Sequence, residues 1–468
     1  MKKIFLILFA IFSNNILWAK VILPSIYSNH MVIQQNSKVK IWGWSEVGEK
    51  ISITPSWDTI TYFTKGTSLA KWETIINTPK AGGTFTITIK GDYNTIIIED
   101  VLLGEVWLAG GQSNMEMNMY WGLNYAEDVK NAGNNDIRFF HIPRTTAAYP
   151  QEDVHAQWVV CTPETMKGFS TAAYFFGKKI NAQLQLPVGL ISSCWGGTAA
   201  EVWTPEDVVL NDKILIDAAE KLKPSDGWPT KIGIAYNAMI APIINYKIAG
   251  TIWYQGESNT STASTYLPLF TTLIGTWRNK WSNNFPFYFV QIAPYNYGNS
   301  NDAALLREAQ FKTTTIPNTG MVVTTDLVND VNDIHPKLKK EVGERLANYA
   351  LADTYGKQNS IYKSPSYTGF TIEKSKIKIL FNNAENGFTV KGTTATEFYI
   401  AAADKKFVAA QIKIIGNQIT VWSKDVKNPI AVRFGFGNAA MPNLFGTDGL
   451  PLIPFRTDDW DDVIIKTP

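Results

Sequence analysis

The run Val106-Trp107-Leu108-Ala109-Gly110-Gly111-Gln112-Ser113-Asn114-Met115 is the strongest constraint in this chain. An apolar, strand-like stretch stops at a glycine pair, and one serine stands at its tip. Glycines let the backbone turn sharply without a Cβ clash. A hydroxyl just past the carboxyl end of a buried strand lies where open α/β sheets bind ligands. The segment is not the G-x-S-x-G elbow, because Met115 stands where the second glycine would be. The expectation is an α/β sheet carrying a serine site of another architecture.

The texture around this run divides the 468 residues into segments. Residues 20–100 hold short runs with apolar and polar residues alternating (38–43, 50–53, 84–89, 95–98), the period of half-buried antiparallel strands. They predict a β-sandwich-like N-terminal domain. Residues 101–350 hold isolated apolar strands (105–109, 188–194, 249–254, 287–292, 321–325) with helical stretches between them, the pattern of a doubly wound parallel sheet. Residues 351–468 return to strands and are expected to form a C-terminal β-region that completes the N-terminal module.

Residues 1–19 read as a signal peptide. Lys2 and Lys3 precede the apolar run 4–12, and Leu17-Trp18-Ala19 offers a cleavage site. Export to the periplasm or medium is therefore expected, and no later segment has the roughly 20 apolar residues of a membrane span. The 43 basic and 41 acidic side chains leave a net charge of +2, which vanishes with Lys2 and Lys3. That balance argues against a nucleic-acid partner. Cys161 and Cys194 are read as structural, with pairing open, and no oligomeric state is read from the sequence.

A serine nucleophile needs a base, and the chain has four histidines: His30, His141, His155 and His335. Only His335 follows a core strand at the expected edge. Pro336 after it looks like the first residue of a helix carrying Leu338, Val342, Leu346 and Tyr349, which would make His335 a helix cap whose neutral form the helix dipole favours. Asp333 is the nearest acid to orient the ring, with Asp330 and Glu257 as alternatives and a Ser113–His335 dyad as a fourth possibility. Backbone N–H groups at Ser113 and at Gly196 or Gly197, with an amide from Gln255 or Asn259, are candidate oxyanion donors. Trp195 and Trp253 are expected to flank the acyl site and to leave room for little more than a methyl group. Arg307 could face a substrate carboxylate, but an arginine on a helix followed by Glu308 is more often a surface or structural ion pair. No H-E-x-x-H or clustered His/Asp motif is present, so neither metal nor other cofactor is expected.

The blocks Gly111-Gln112-Ser113-Asn114-Met115, Trp195-Gly196-Gly197-Thr198, Trp253-Tyr254-Gln255-Gly256-Glu257-Ser258-Asn259 and Asp333-Ile334-His335-Pro336 resemble those of the SGNH-type hydrolases. They are most similar to the sialate O-acetylesterase family and its acetylxylan-esterase relatives. Leu23-Pro24, Asn29-His30-Met31-Val32 and Ile41-Trp42-Gly43-Trp44 resemble that family's N-terminal domain, and Pro454-Phe455-Arg456-Thr457-Asp458 its C-terminal end. The resemblance implies an SGNH, flavodoxin-like sheet. It also implies an esterase acting on O-acetylated carbohydrate, either sialic acids or acetylated plant polysaccharide, through an acyl-enzyme. In it Ser113 is nucleophile, His335 base, the 196–197 turn an oxyanion donor and 255–259 the third block. The usual SGNH acid three residues before the histidine is missing, because position 332 is Asn. A noncatalytic carbohydrate-binding protein is the competing reading, which the pairing of Ser113 with His335 disfavours.

Overall fold

The computed structural model describes residues 20–357 and 361–465; the expected signal peptide, 1–19, lies outside them. In the N-terminal module, strand Ser37–Trp44 pairs antiparallel with Lys71–Thr78. A second sheet holds Lys50–Pro55, Tyr62–Lys65 and Gly82–Lys90. Val39, Ile41 and Ile76 of the first sheet and Ile51, Ile53, Ile87 and Ile89 of the second are buried in one cluster. Inward residues alternate with exposed ones, as the period-two pattern requires.

Seven strands form the central sheet: β1 (Thr95–Gly111), β2 (Asn134–His141), β3 (Trp158–Cys161), β4 (Val188–Cys194), β5 (Gly250–Tyr254), β6 (Phe287–Val290) and β7 (Thr319–Val322). Their order is β7-β6-β5-β1-β4-β2-β3, parallel except for the edge strand β3. The helices used below are α1 (Ser113–Glu116), α2 (Thr171–Leu184), α3 (Ala263–Lys280), α4 (Asp302–Thr313) and α5 (Lys339–Tyr349). Alternate residues of one strand feed opposite faces. Trp107 and Ala109 pack in the cluster that holds α2 and α5, whereas Val106 and Leu108 pack in the one that holds α3 and α4. Both faces are therefore covered, the doubly wound α/β architecture of the sequence reading.

The change of texture near residue 100 is not a break in the chain. β1 runs through it: its first half pairs with Gly82–Lys90 of the N-terminal sheet and its second half with β4 and β5. Asp100, at φ +53, interrupts the extended backbone within the half that pairs with the N-terminal sheet. Sequence reading also missed β2 and β3, because Asn134–His141 opens on polar residues and Trp158–Cys161 is only four residues long. The C-terminal region does not complete the N-terminal module. Its strands, such as Lys376–Asn382, Gln418–Trp422 and Ala431–Phe434, pair among themselves and enclose a separate core around Ile379, Val421 and Phe434.

Both cysteines are free buried thiols. Cys161 donates to the Ala132 carbonyl and Cys194 to that of Ala109. Burial pushes the Cys161 thiol up to about 12 and that of Cys194 upward as well, so both are inert packing groups.

Candidate active site

β1 lies in the middle of the sheet, where the chain order reverses, so its carboxyl end opens into the crevice between the loops after β4 and β5. The turn that presents Ser113 demands glycine. Gly111 has φ +132, and a Cβ there would lie 2.2 Å from the Tyr254 carbonyl oxygen of β5. Gln112 then locks the turn by accepting the Gly256 and Ser258 N–H groups on its Oε1. Ser113 opens the single-turn helix α1, with Asn114 and Met115 buried behind it.

The serine meets the expected base: His335 Nε2 lies 2.9 Å from Ser113 Oγ. The edge of Trp121 packs on the imidazole, with centroids 5.8 Å apart at 86°. His335 does not cap a helix, however, because α5 begins at Lys339, four residues later. Its pKa lies below the ordinary histidine value for another reason. Burial is the main cause and the Lys339 and Lys337 charges add to it, while Asp333 opposes them.

Among the candidate acids, Asp333 is the one beside the ring, 3.9 Å from His335 Nδ1. That is beyond hydrogen-bond range. Its Oδ1 instead accepts the His335 backbone N–H at 2.9 Å, and its Oδ2 pairs with Lys337. Burial works against the Asp333 charge, but these hydrogen bonds and cations outweigh it and hold the carboxyl below its usual range. Asp330 is exposed and caps the Asn332 N–H. Glu257 is buried, with Oε1 bound to Asn114, so the structure brings neither to the histidine.

The oxyanion candidates separate sharply. Gln255 and Asn259 must be corrected. Gln255 Nε2 donates to the Thr198 carbonyl and to Asn259 Oδ1, while Asn259 Nδ2 donates to Glu201 and Thr262. Both amides are wholly buried in this network, which ties the loops after β4 and β5 together, so neither has a donor left for a ligand. The Gly196 N–H is held by Glu116 Oε2 at 2.7 Å. Ser113 N–H and Gly197 N–H have no protein acceptor among the described residues. Gly197, at φ +80, sits under the half-exposed Trp228 ring, which a Cβ would strike at 2.2 Å.

One further expectation, for Trp253, fails for packing reasons, and Arg307 takes neither the carboxylate role nor an ion pair among the described residues. Trp253 is fully buried among Trp203, Phe270 and Trp277, on the core side of the sheet, and does not line the site. Arg307 is 1% exposed and donates to the Gly437 and Asn438 carbonyls, clamping α4 to the C-terminal region. The half-exposed arginine beside the site is instead Arg144, on the loop after β2, whose Nε pairs with Glu116 Oε1.

Sequence reading also missed the polar hub behind the serine. Asn114 donates to Glu257 and to the Ile334 carbonyl, and accepts from the buried Lys339 ammonium. Burial pushes the Glu257 carboxyl up and brings Lys339 down to about 7, so both are driven toward their neutral forms. One signal was available: Lys339 shares helical spacing with Val342 and Leu346, a lysine on an apolar face. Among the described residues no group of three or more His, Cys, Asp or Glu side chains is placed to hold a metal, and no helix is long and apolar enough to cross a membrane.

A parallel sheet of this order, with such a site at its switch point, defines a carboxylic ester hydrolase of the SGNH fold. The family described as "Carbohydrate esterase, sialic acid-specific acetylesterase" matches residues 103–352, and the chain belongs to it. Sialate O-acetylesterase of Rattus norvegicus is 30% identical over 405 residues, covering 73% of this chain and 75% of that protein. The Homo sapiens sialate O-acetylesterase is 30% identical over 379 residues, covering 73% and 72%. A crystal structure of a carbohydrate acetylesterase from Xanthomonas citri superposes with TM-score 0.86 at 32% identity, covering 94% of this chain and all of that one.

Proposed function

We propose that this chain is an exported serine esterase that removes O-acetyl groups from sialic acids through an acyl-enzyme on Ser113. The observation that carries the mechanism is the 2.9 Å contact between Ser113 Oγ and His335 Nε2. As Oγ attacks the acetyl carbonyl, neutral His335 takes its proton, and the Ser113 and Gly197 N–H groups are free to hold the oxyanion. Collapse breaks the ester bond, and the sugar hydroxyl leaves with the proton from His335. Water, deprotonated by the same ring, then attacks the acetyl-serine; the bond from the acyl carbon to Ser113 Oγ breaks, His335 returns the proton to Oγ, and acetate leaves. Sialic acid as the substrate rests on the family, and export on the basic and apolar pattern of residues 1–19.

The test is acetate release from O-acetylated sialic acid against acetylated xylan. The expected kcat/KM favours the sialate by about tenfold or more, or about 1.4 kcal/mol. Preference for xylan would move the enzyme to the polysaccharide class while leaving the serine mechanism standing.

The acid makes a separate prediction. Because Asp333 acts on His335 across 3.9 Å, Asp333→Asn should lower kcat by about 10- to 100-fold, well short of the ~10⁴ of a hydrogen-bonded triad. The pH profile fixes the sign. Neutral His335 is the active form and its pKa is depressed, so the acid limb of kcat/KM falls below pH ~6.5. Removing Asp333, which raises that pKa, moves the limb to still lower pH. A limb that stays put, or moves up, would show that Asp333 is not coupled to the base.

A further inference from the structure

The Gly196 N–H beside Ser113 is covered by Glu116, and Glu116 in turn holds an arginine. The geometry points to Arg144 as the residue that recognises the carboxylate of an acidic sugar substrate, with Glu116 as its positioning residue. This rests on the sialic acid reading above, since a sialic acid carries a ring carboxylate besides the ester to be cleaved.

Three observations support the assignment. The first is place. A Cβ on Gly196 would lie 3.2 Å from both Ser113 Cβ and Glu116 Oε2, so the Glu116 carboxylate borders the serine. Arg144 is one hydrogen bond further out, with Nε 2.5 Å from Glu116 Oε1. The second is availability. The Arg144 side chain is 45% exposed while Glu116 is 10% exposed, so the anchor is mostly covered and the cation faces solvent. Of the guanidinium's donors only Nε–H is used, and its two terminal nitrogens have no protein acceptor among the described residues. That leaves the fork edge, which matches a carboxylate bidentately.

The third observation is that no other nearby cation among the described residues presents an open guanidinium fork. Lys339 is buried against Asn114 and Arg307 is locked to the Gly437 and Asn438 carbonyls, while Lys337, paired with Asp333, is like Arg144 half-exposed but offers a point charge in place of a planar fork. Arg144 and Glu116 together carry no net charge, yet the pair is polarised: its negative end points at the Gly196 N–H and its positive end at solvent. An arriving carboxylate meets the positive end, held by a mostly covered partner, so less side-chain entropy remains to be lost on binding.

The experiment compares O-acetylated sialic acid with its carboxyl methyl ester, which keeps the acetyl group and removes the charge. In the wild-type enzyme kcat/KM should be at least about tenfold higher for the acid, expressed in KM, which corresponds to about 1.4 kcal/mol. Arg144→Met should bring the ratio of acid to methyl ester close to one, and Arg144→Lys should restore part of it, since lysine keeps the charge but loses the fork. Wild-type enzyme that hydrolyses both forms equally well overturns the role of Arg144 and leaves the sialate reading standing. The same holds if Arg144→Met keeps the preference. If neither form is cleaved while an aryl acetate is, the sialate reading falls, and this inference with it.

Discussion

Ser113→Ala should lose at least about 10³-fold in kcat on an aryl acetate and keep a melting curve close to that of the wild-type protein. The two halves of this expectation come from different facts. Activity falls because the proposed nucleophile is gone, and His335 alone has no acyl acceptor to activate. Stability holds because Ser113 Oγ has one partner, His335 Nε2, and lies at the mouth of the crevice with 7% of the residue exposed. Losing a single hydrogen bond there costs about 1 kcal/mol. The measurement is initial rate together with thermal unfolding followed by circular dichroism. A variant that retains more than about a tenth of the rate would remove Ser113 from the chemistry.

How much of this was legible in the sequence depends on the range of the interaction. The strand, glycine pair and serine were readable because the signal is local: four apolar residues, two glycines, Gln112 and the serine hydroxyl within eight consecutive positions. His335 was readable from its place after the last core strand, although His141, which ends the missed strand β2, also stands at a core-strand end, so elimination alone did not single it out; the structure brings His335 to 2.9 Å from the serine. The helix after it was misplaced. Pro336 suits a first helical turn, but the chain stays irregular through Leu338 so that Lys339 can reach Asn114.

The oxyanion amides failed for a longer-range reason. Gln255 and Asn259 have the right residue type on the right loop, yet Glu201, 58 residues from Asn259, claims the Asn259 amide and through it orders Gln255. A buried carboxylate demands donors, and no local pattern announces which it takes. Arg307 failed in the same way, because its partners are backbone carbonyls 130 residues downstream. Trp253 failed on phase: as a central strand residue it alternates with Tyr254, and only the structure shows which of the two faces the helices of which side.

Gly111→Ala tests whether the strand-end geometry itself holds the site together, and its expected effect is large on both stability and rate. The added methyl would lie 2.2 Å from the Tyr254 oxygen and 2.8 Å from its carbonyl carbon, both backbone atoms of the neighbouring strand. No side-chain rotation relieves that contact. The φ of +132 adds strain for any residue with a Cβ, so overpacking and backbone strain together should cost about 2–6 kcal/mol. β1 and β5 must then separate where the Gln112 N–H binds the Tyr254 carbonyl, which displaces the next residue, Ser113. A shift of about 1 Å there is enough to lower kcat by about 100-fold. Gly48→Ala is the control: it also has a positive φ, +80, but nothing lies within 4 Å of its would-be Cβ, and it sits in the N-terminal module. It should cost about 1 kcal/mol and leave kcat unchanged. If the two variants behaved alike, the close approach of β5 to Gly111 would have no part in presenting the serine, and the glycine pair would be only a flexible turn.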